Sequence, residues 1–200
     1  MKKLLLGLVF LLGTRALATE VVPVKENYVI NISAGVTPWS DYSLDGSTVD
    51  GDGVGYDFSI EAMKEIKPSL YAGLGFGVHD LPQGENRLKG HTLGYFEDYK
   101  SYPIYLVAKY EFQTIGEGVR PFVKANLGYA FNGRVKYDVM GEHGKEGVDN
   151  GIYAAVGFGL EQNNINAGIT FKTTHGELDG NDFDNHRVIL SVGYDFDFSI

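Results

Sequence analysis

Eight stretches of this 200-residue chain alternate apolar side chains with polar or small ones, and this alternation constrains the fold more than any other feature. One stretch, at 187–198, reads R-V-I-L-S-V-G-Y-D-F-D-F, which puts Val188, Leu190 and Val192 on one face of an extended strand. Successive side chains of a strand point to opposite faces, so a period of two indicates β-structure. The chain is therefore predicted to be all-β, with eight strands.

The connections between these stretches alternate long and short, which predicts antiparallel neighbours in an up-and-down meander. The long connections are predicted to be polar loops at Thr37–Asp52, Asp80–Asp98, Asn132–Asp149 and Thr174–His186. Each strand has about ten residues, the length that a tilted strand needs to cross a bilayer. Beyond residue 18 no apolar stretch is long enough for a membrane-spanning helix, so the predicted fold is a closed eight-stranded transmembrane β-barrel.

The polar faces of the strands decide which side lines the lumen. A soluble ligand-carrying barrel with an apolar interior is the alternative interpretation. The polar faces are rich in glycine, at Gly35, Gly55, Gly73, Gly75, Gly77, Gly128, Gly157, Gly159, Gly168 and Gly193. Glycine within strands marks crowding or bends, and an eight-stranded barrel has room inside only for side chains. We therefore expect the polar face inside and the apolar face, with its aromatics, against lipid.

The stretch at 187–198 also carries a family resemblance. Ser191, Gly193, Phe196 and Phe198 are similar to the C-terminal β-signal of outer-membrane barrel proteins, although Ser199 and Ile200 follow the aromatic residue. The chain after residue 18 resembles the small barrels of the OmpA transmembrane-domain and OmpX type. This resemblance implies recognition by the barrel-assembly machinery, contact with outer-membrane lipid and lipopolysaccharide, and a role in adhesion or envelope integrity without a shared catalytic motif.

Residues 1–18 have the features of a signal peptide, namely Lys2 and Lys3, the apolar run Leu4–Leu12 and the small-x-small site Ala16-Leu17-Ala18. Residues 19–200 would then form the barrel domain, in the outer membrane of a two-membrane bacterium. Cleavage would remove three positive charges and change the net charge from −9 to −12. The chain has no cysteine, hence no disulfide or lipoprotein anchor. Its acidity argues against a nucleic-acid partner, and a monomer is expected.

Charged side chains on the polar faces are the first candidate site. They are Asp57, Glu61, Lys109, Glu111, Lys124, Glu161, Lys172 and Asp195. Because buried charges must be paired, we expect a network of ion pairs that fills the lumen. A narrow small-solute or ion channel is the alternative.

Acidic residues in two of the predicted loops are the second candidate site. No Lys or Arg occurs in 37–52 or in 174–186, and barrel closure makes these segments neighbours. Carboxylates that converge there have the chemistry of a Ca²⁺ site, with Asp45, Asp50, Asp52, Asp179 and Asp182 as candidate ligands. A solvated acidic rim is the alternative, and no cofactor is expected.

The predicted loops also carry histidines and aromatics. All five histidines, His79, His91, His143, His175 and His186, are predicted at the loop end of the barrel, where a transition-metal or pH-sensing role is weighed against scattered loop positions. Aromatic residues that would serve binding to host or cell-surface ligands are Trp39, Tyr42, Tyr95, Phe96, Tyr137 and Phe183. The lipid A deacylases use a His-x-Ser pair, which this sequence lacks, so no enzyme is expected.

Overall fold

The computed structural model describes residues 26–44, 47–80, 83–88, 91–97, 99–139, 142–178 and 180–199. In chain order its strands are β1 (Asn27–Leu44), β2 (Ser47–Asp52), β3 (Gly55–Lys67), β4 (Leu70–Asp80), β5 (Gln83–Leu88), β6 (His91–Glu97), β7 (Lys100–Glu111), β8 (Arg120–Asn132), β9 (Arg134–Val139), β10 (Glu142–Gly147), β11 (Gly151–Gln162), β12 (Ile165–Leu178) and β13 (Asn181–Ser199). The described residues contain no helix with the length and apolar character needed to span a bilayer.

Eight of these strands close into a barrel. Antiparallel pairing runs in the order β1, β3, β4, β7, β8, β11, β12 and β13, and β13 pairs again with β1. Each barrel strand lies beside the next barrel strand in the chain, which is a meander. The predicted all-β, eight-stranded up-and-down barrel is confirmed.

The four connections predicted as loops contain long stretches of strand, and there the prediction was wrong. β1 continues to Leu44 and β2 returns beside it, while β12 and β13 pair out to Leu178 and Asn181. The remaining short strands pair in the order β2, β5, β6, β9, β10 and continue the sheet from the end of β1; together with the end of β1 we call them the outer sheet. Their glycines and charges hide the alternation, but extending an existing ladder satisfies backbone polar groups that would otherwise lack partners.

The opposite end of the barrel, the turn end, has tight connections. Asn163 and Asn164 have φ angles of 51° and 67°, the left-handed pair that a two-residue hairpin turn requires. The barrel end that carries the outer sheet is called the loop end below.

An irregularity in β1 reverses the direction of its side chains. The ladder between β1 and β13 shifts between Val36 and Trp39, so both Pro38 and Trp39 lie on the outside. Bulges of this kind are where a strand accommodates proline. Beyond it Ser40 and Tyr42 point inward, and Tyr42 and Phe183 are each only 4% exposed. The prediction that these two aromatics are presented to partners was therefore wrong, whereas Trp39 is outside.

Polar side chains face the lumen and apolar ones face outward. Leu74 and Val192 are 61% and 59% exposed on the outer surface. Glu61 and Asp195, which point inward, are 1% and 2% exposed. This arrangement contradicts the alternative of a soluble barrel with an apolar interior, because water would wet a continuous apolar surface.

Glycines make room for large side chains inside the barrel. Tyr105 lies between Gly75 on β4 and Gly128 on β8, its partners in the two neighbouring ladders. A Cβ atom on Gly75 would lie 2.3 Å from Cε2 of Tyr105. The tyrosine therefore occupies the lumen, with a 3.0 Å hydrogen bond from its hydroxyl to Glu61 Oε1, only because both neighbours lack side chains.

Candidate functional site in the charged lumen

The lumen near the turn end is organised around the ammonium group of Lys109. Its Nζ lies 3.0 Å from Glu111 Oε1, 2.6 Å from Glu161 Oε2 and 2.8 Å from Asp195 Oδ2. Arg120 pairs with the same acids, at 2.8 Å to Glu111 Oε2 and 3.1 Å to Glu161 Oε1. We call these five residues the Lys109 cluster.

Neutral groups complete the Lys109 cluster. Asn31 Nδ2 and Asn166 Nδ2 both donate to Asp195 Oδ1, the latter over 3.0 Å. The Lys109 ammonium also lies 5.0 Å from the centre of the Phe122 ring, within cation–π range. Three carboxylates thus share two cations and two amide donors, which offsets the cost of burying them.

A middle layer separates this cluster from the loop end. Lys124 Nζ lies 3.0 and 2.9 Å from the two carboxylate oxygens of Glu61. The hydroxyls of Ser33 and Ser59 are 2.7 Å apart beside it. The enclosed space bordered by Glu61, Lys124 and their neighbours has about 10 Å³ for the centre of a water molecule. This is room for one water, so the layer is filled by side chains.

A second charged group lies above this layer, toward the loop end. Lys172 Nζ is 2.8 Å from both carboxylate oxygens of Asp57. His79 Nε2 is 3.1 Å from Asp57 Oδ2, and its Nδ1 contacts Arg187. Arg187 also donates to Asn185 Oδ1 over 3.0 Å. We call these five residues the Arg187 cluster.

Hydrogen bonding fixes the protonation of His79. A guanidinium group can only donate, so His79 Nδ1 must accept from Arg187 and the ring proton lies on Nε2, which is 3.1 Å from Asp57 Oδ2 and 3.4 Å from Lys172 Nζ. The imidazole is then neutral. The sequence predicted His79 at the loop end of the barrel, and it lies there, but it is buried in the lumen at 1% exposure and is not part of an exposed loop.

All eight charged residues predicted from the sequence lie inside the barrel, and each forms an ion pair with another member of the two clusters or the middle layer. Sequence reasoning missed Arg120 and Arg187. Position 187 shares the inward parity of Asp195, so the alternation itself could have found it. Arg120 directly follows the turn, where no alternation of side chains indicates whether the residue faces the lumen. With these two included, five acids face five cations.

The described residues do not bring the predicted metal ligands together. Within the described ranges no three His, Asp or Glu side chains are grouped to hold a metal ion. Asp45 and Asp179 lie outside the described residues, and for Asp50 and Asp52 the structure describes the backbone alone. Asp182 is exposed and pairs through its backbone with Glu177.

Two of the remaining histidines are exposed outside the lumen. His175 Nδ1 lies 2.8 Å from Asp184 Oδ1 in an exposed pair. His186 is also exposed, and the side chains of His91 and His143 are not among those described.

Aromatic side chains cover the Arg187 cluster at the loop end. The Phe183 ring centre lies 6.0 Å from that of Tyr42 and 5.5 Å from that of Tyr99. All three rings lie beyond Trp39 and Tyr102, toward the outer sheet. Burial raises the pKa of Tyr99, and the Arg187 guanidinium opposes that rise. The same two causes, in the same order, act on Tyr42.

The residues of the predicted β-signal lie on both faces of β13. Gly193 faces inward and is buried, Ser191 is half-buried, and Phe196 and Phe198 are exposed on the outer surface. Phe198 stacks on Tyr28 of β1 with ring centres 5.7 Å apart, at the seam where β13 closes the barrel.

A barrel that exposes apolar side chains around its outside and buries its charges defines the class of integral outer-membrane barrels. The family described as the outer membrane protein beta-barrel domain matches residues 4–196, and the chain belongs to this family. The predicted resemblance is thereby confirmed.

Individual relatives are distant. The uncharacterised protein PM1543 of Pasteurella multocida strain Pm70 is 29% identical over 121 residues, which is 49% of this chain and 51% of that protein, so the chain spans about half the length of this curated relative. The Ail protein of Yersinia pestis, in a complex with the heparin analogue sucrose octasulfate, has a TM-score of 0.50 at 16% identity and covers 86% of this chain and 100% of its own. Neisserial surface protein A has a TM-score of 0.49 at 18% identity, covering 85% and 97%. Such likeness concerns the fold alone.

Proposed function

We propose that this protein is an outer-membrane barrel with a closed lumen that acts by binding at its loop end, in adhesion to another surface or in stabilising the envelope. The observation that carries this proposal is the contrast between a filled lumen and an outer sheet whose strands are hydrogen-bonded to one another from β1 to β10. Hydrogen bonds between strands hold the backbone of the sheet in one arrangement, which lowers the ordering cost of binding a partner.

The lumen supports a closed rather than a conducting barrel. Glu61, Tyr105, Lys109 and Asp195 are all at most 4% exposed, and they are contributed by strands on different sides of the barrel. An ion that crossed this region would have to break ion pairs at 2.6–2.8 Å in both clusters. Disrupting buried pairs costs several kcal/mol each, so steady conduction is not expected.

The sequence of the outer sheet supports a binding role. Phe96 of β6 and Tyr137 of β9 are direct partners in the ladder, and Tyr95 is the partner of Asp138. Aromatic residues next to polar ones are typical of binding surfaces. Residues 37–52 and 174–186 contain acids without Lys or Arg, which favours a partner with a cationic surface.

Exchange of the outer hairpins tests this proposal. The barrel would be refolded in lipid vesicles and its binding to intact cells and to immobilised matrix proteins measured, with the β5–β6 or β9–β10 hairpin replaced by a short Gly-Asn turn. We expect at least one replacement to abolish binding, whereas changing the turn at 163–164 leaves it intact. Equal binding by all variants would contradict the proposal, as would porin-sized openings in single-channel recordings of the unaltered barrel.

We also propose that residues 1–18 direct export and are then removed. This segment lies outside the described residues, and its support is the signal-peptide pattern in the sequence. N-terminal sequencing of the protein from isolated outer membranes should begin at Thr19. Retention of Met1 there would contradict the proposal.

A further inference from the structure

Arg187 is a buried cation with no carboxylate among its hydrogen-bond partners. Its side chain is 2% exposed, and in the described part of the chain its partners are the neutral Asn185 and the neutral His79. Its Nε atom has no partner there. Both oxygens of Asp57, the acid of this cluster, are bonded to Lys172. A buried charge without a counter-charge is costly, so it points to a ligand.

Three hydroxyl groups near Arg187 are also buried without a partner within 3.5 Å in good hydrogen-bond geometry among the described groups: Ser40 Oγ, Thr174 Oγ1 and Tyr99 OH. Their residues are 2%, 1% and 3% exposed. Each hydroxyl is able to donate a hydrogen bond. We call Arg187 and these three residues the donor cluster. Tyr42 lies near Ser40 and Ser101 lies near Tyr99, and each serine lowers the pKa of its neighbouring phenol only weakly, so Thr174 Oγ1 is the clearest unpaired donor. Native proteins rarely leave such groups unsatisfied, and an ion or water is a usual reason when they do.

The fold brings the donor cluster together. Ser40 is the direct ladder partner of Arg187 across the β1–β13 pair, and it points inward because of the bulge before it. Thr174 is the partner of Asn185, one inward position along β13 from Arg187. Tyr99 precedes β7 and is buried against Phe183, with ring centres 5.5 Å apart, and the Arg187 guanidinium opposes the rise in its pKa that burial causes.

The two ends of the lumen differ in net charge in a way that fits an anion. The Lys109 cluster holds three acids and two cations, and its excess lies beside Arg120, whose side chain is 42% exposed to solvent. The Arg187 cluster holds one acid and two cations, and it is covered by Tyr42, Tyr99 and Phe183. A monovalent anion would neutralise the covered end. Hydroxyl and guanidinium donors provide the coordination that such an anion needs.

We propose that the donor cluster binds a small inorganic anion of the size of chloride in the lumen beneath the aromatic cover. The anion accepts from Arg187 Nε and from the hydroxyls of Ser40, Thr174 and Tyr99. It supplies the negative charge that the strands do not provide at this level. This site is separate from the outer sheet, so a test of chloride binding does not decide the binding role proposed above.

Chloride binding to the refolded full barrel in detergent micelles tests this site directly. The probe is the line width of the ³⁵Cl resonance in a chloride titration at constant ionic strength, with gluconate as the replacing anion. We expect saturable excess broadening in the unaltered protein. Arg187→Gln should weaken the affinity about tenfold or more, because it removes the charge and the Nε donor.

Arg120→Gln is the matched control, since it removes the same charge at the other end of the lumen, where the arginine is paired with Glu111 and Glu161. It should leave chloride affinity unchanged. Absence of saturable broadening in the unaltered barrel, or equal weakening by both arginine substitutions, would overturn the proposal.

Two milder substitutions decide the question if Arg187→Gln does not refold. Thr174→Val and Tyr99→Phe each remove one donor, with little change in shape and none in charge. Each should lower chloride affinity several-fold in a folded barrel, and the double variant should lower it further. Chloride affinity equal to that of the unaltered protein in both would show that these hydroxyls do not face an anion.

Discussion

At the turn end of the lumen, Lys109 is surrounded by three carboxylates, whereas at the loop end Arg187 forms hydrogen bonds only to neutral groups among the described residues. Both are long cationic side chains, almost fully buried, on strands of the same barrel. Every charged side chain of the first cluster is in an ion pair, whereas the second has donors without a partner among the described groups. The same lumen therefore contains a region whose charges are paired within the chain and a region where we propose that a ligand completes the pairing.

Lys109→Met is expected to have the largest effect. It leaves Glu111, Glu161 and Asp195 with the half-exposed Arg120 as their remaining cation, and removing one partner from a buried network costs about 3–5 kcal/mol. Urea unfolding of the refolded barrel should show this loss in the free energy of unfolding. Lys100→Met is the control, because its 3.4 Å pair with Asp80 is exposed. Similar losses in the two variants would remove the distinction between the Lys109 cluster and a surface pair.

Asp57→Asn should come next, at about 3 kcal/mol. It removes the acid of the Arg187 cluster, so that Lys172, like Arg187, has no carboxylate among its partners in the described residues. If chloride binds nearby, replacing gluconate with chloride should recover part of the loss, and no such recovery is expected for Lys109→Met. Asp184→Asn, which alters the exposed pair with His175, is the control and should change little. A loss that is the same in both salts would mean that the loop end is as self-contained as the turn end.

Gly75→Ala tests the layer that separates the two clusters. Its Cβ would lie 2.3 Å from Cε2 of Tyr105, and overpacking of this kind costs about 1–3 kcal/mol. The double variant Gly75→Ala/Tyr105→Leu should lose less than the sum of the two single changes, since the clash is removed. Gly147→Ala is the control, because no atom lies within 4 Å of the added Cβ. Additive losses would show that the two residues do not compete for space.

Ser33→Ala should have the smallest effect, about 1 kcal/mol, because it leaves the buried hydroxyl of Ser59 without its 2.7 Å partner. Removing both hydroxyls in Ser33→Ala/Ser59→Ala should cost no more than the single change, since neither group is then unsatisfied. The free energy of unfolding of the two variants decides this. A clearly larger loss in the double variant would indicate that each serine has a further partner in the middle layer.

Much of the candidate site could be predicted because the alternation of inward and outward side chains can be read within a single strand. Asp57, Glu61 and Lys109 alternate with apolar neighbours, so the sequence assigns them to one face without knowledge of the other strands. The bulge at Pro38 could not be placed in this way. It reverses the parity of β1, which sends Tyr42 inward and Trp39 outward, and its position depends on the register with β13.

By itself the sequence determined the number of barrel strands, their order and which face points outward, since these follow from a period of two and from the lengths of the connections. Tertiary structure alone decided that the predicted loops continue as an outer sheet, that His79 is neutral in the lumen, and that Lys109 meets three acids while Arg187 meets none among its described partners. The physical reason is that ion pairs and cross-hairpin ladders join residues distant in sequence, whose distances are set only when β13 closes against β1.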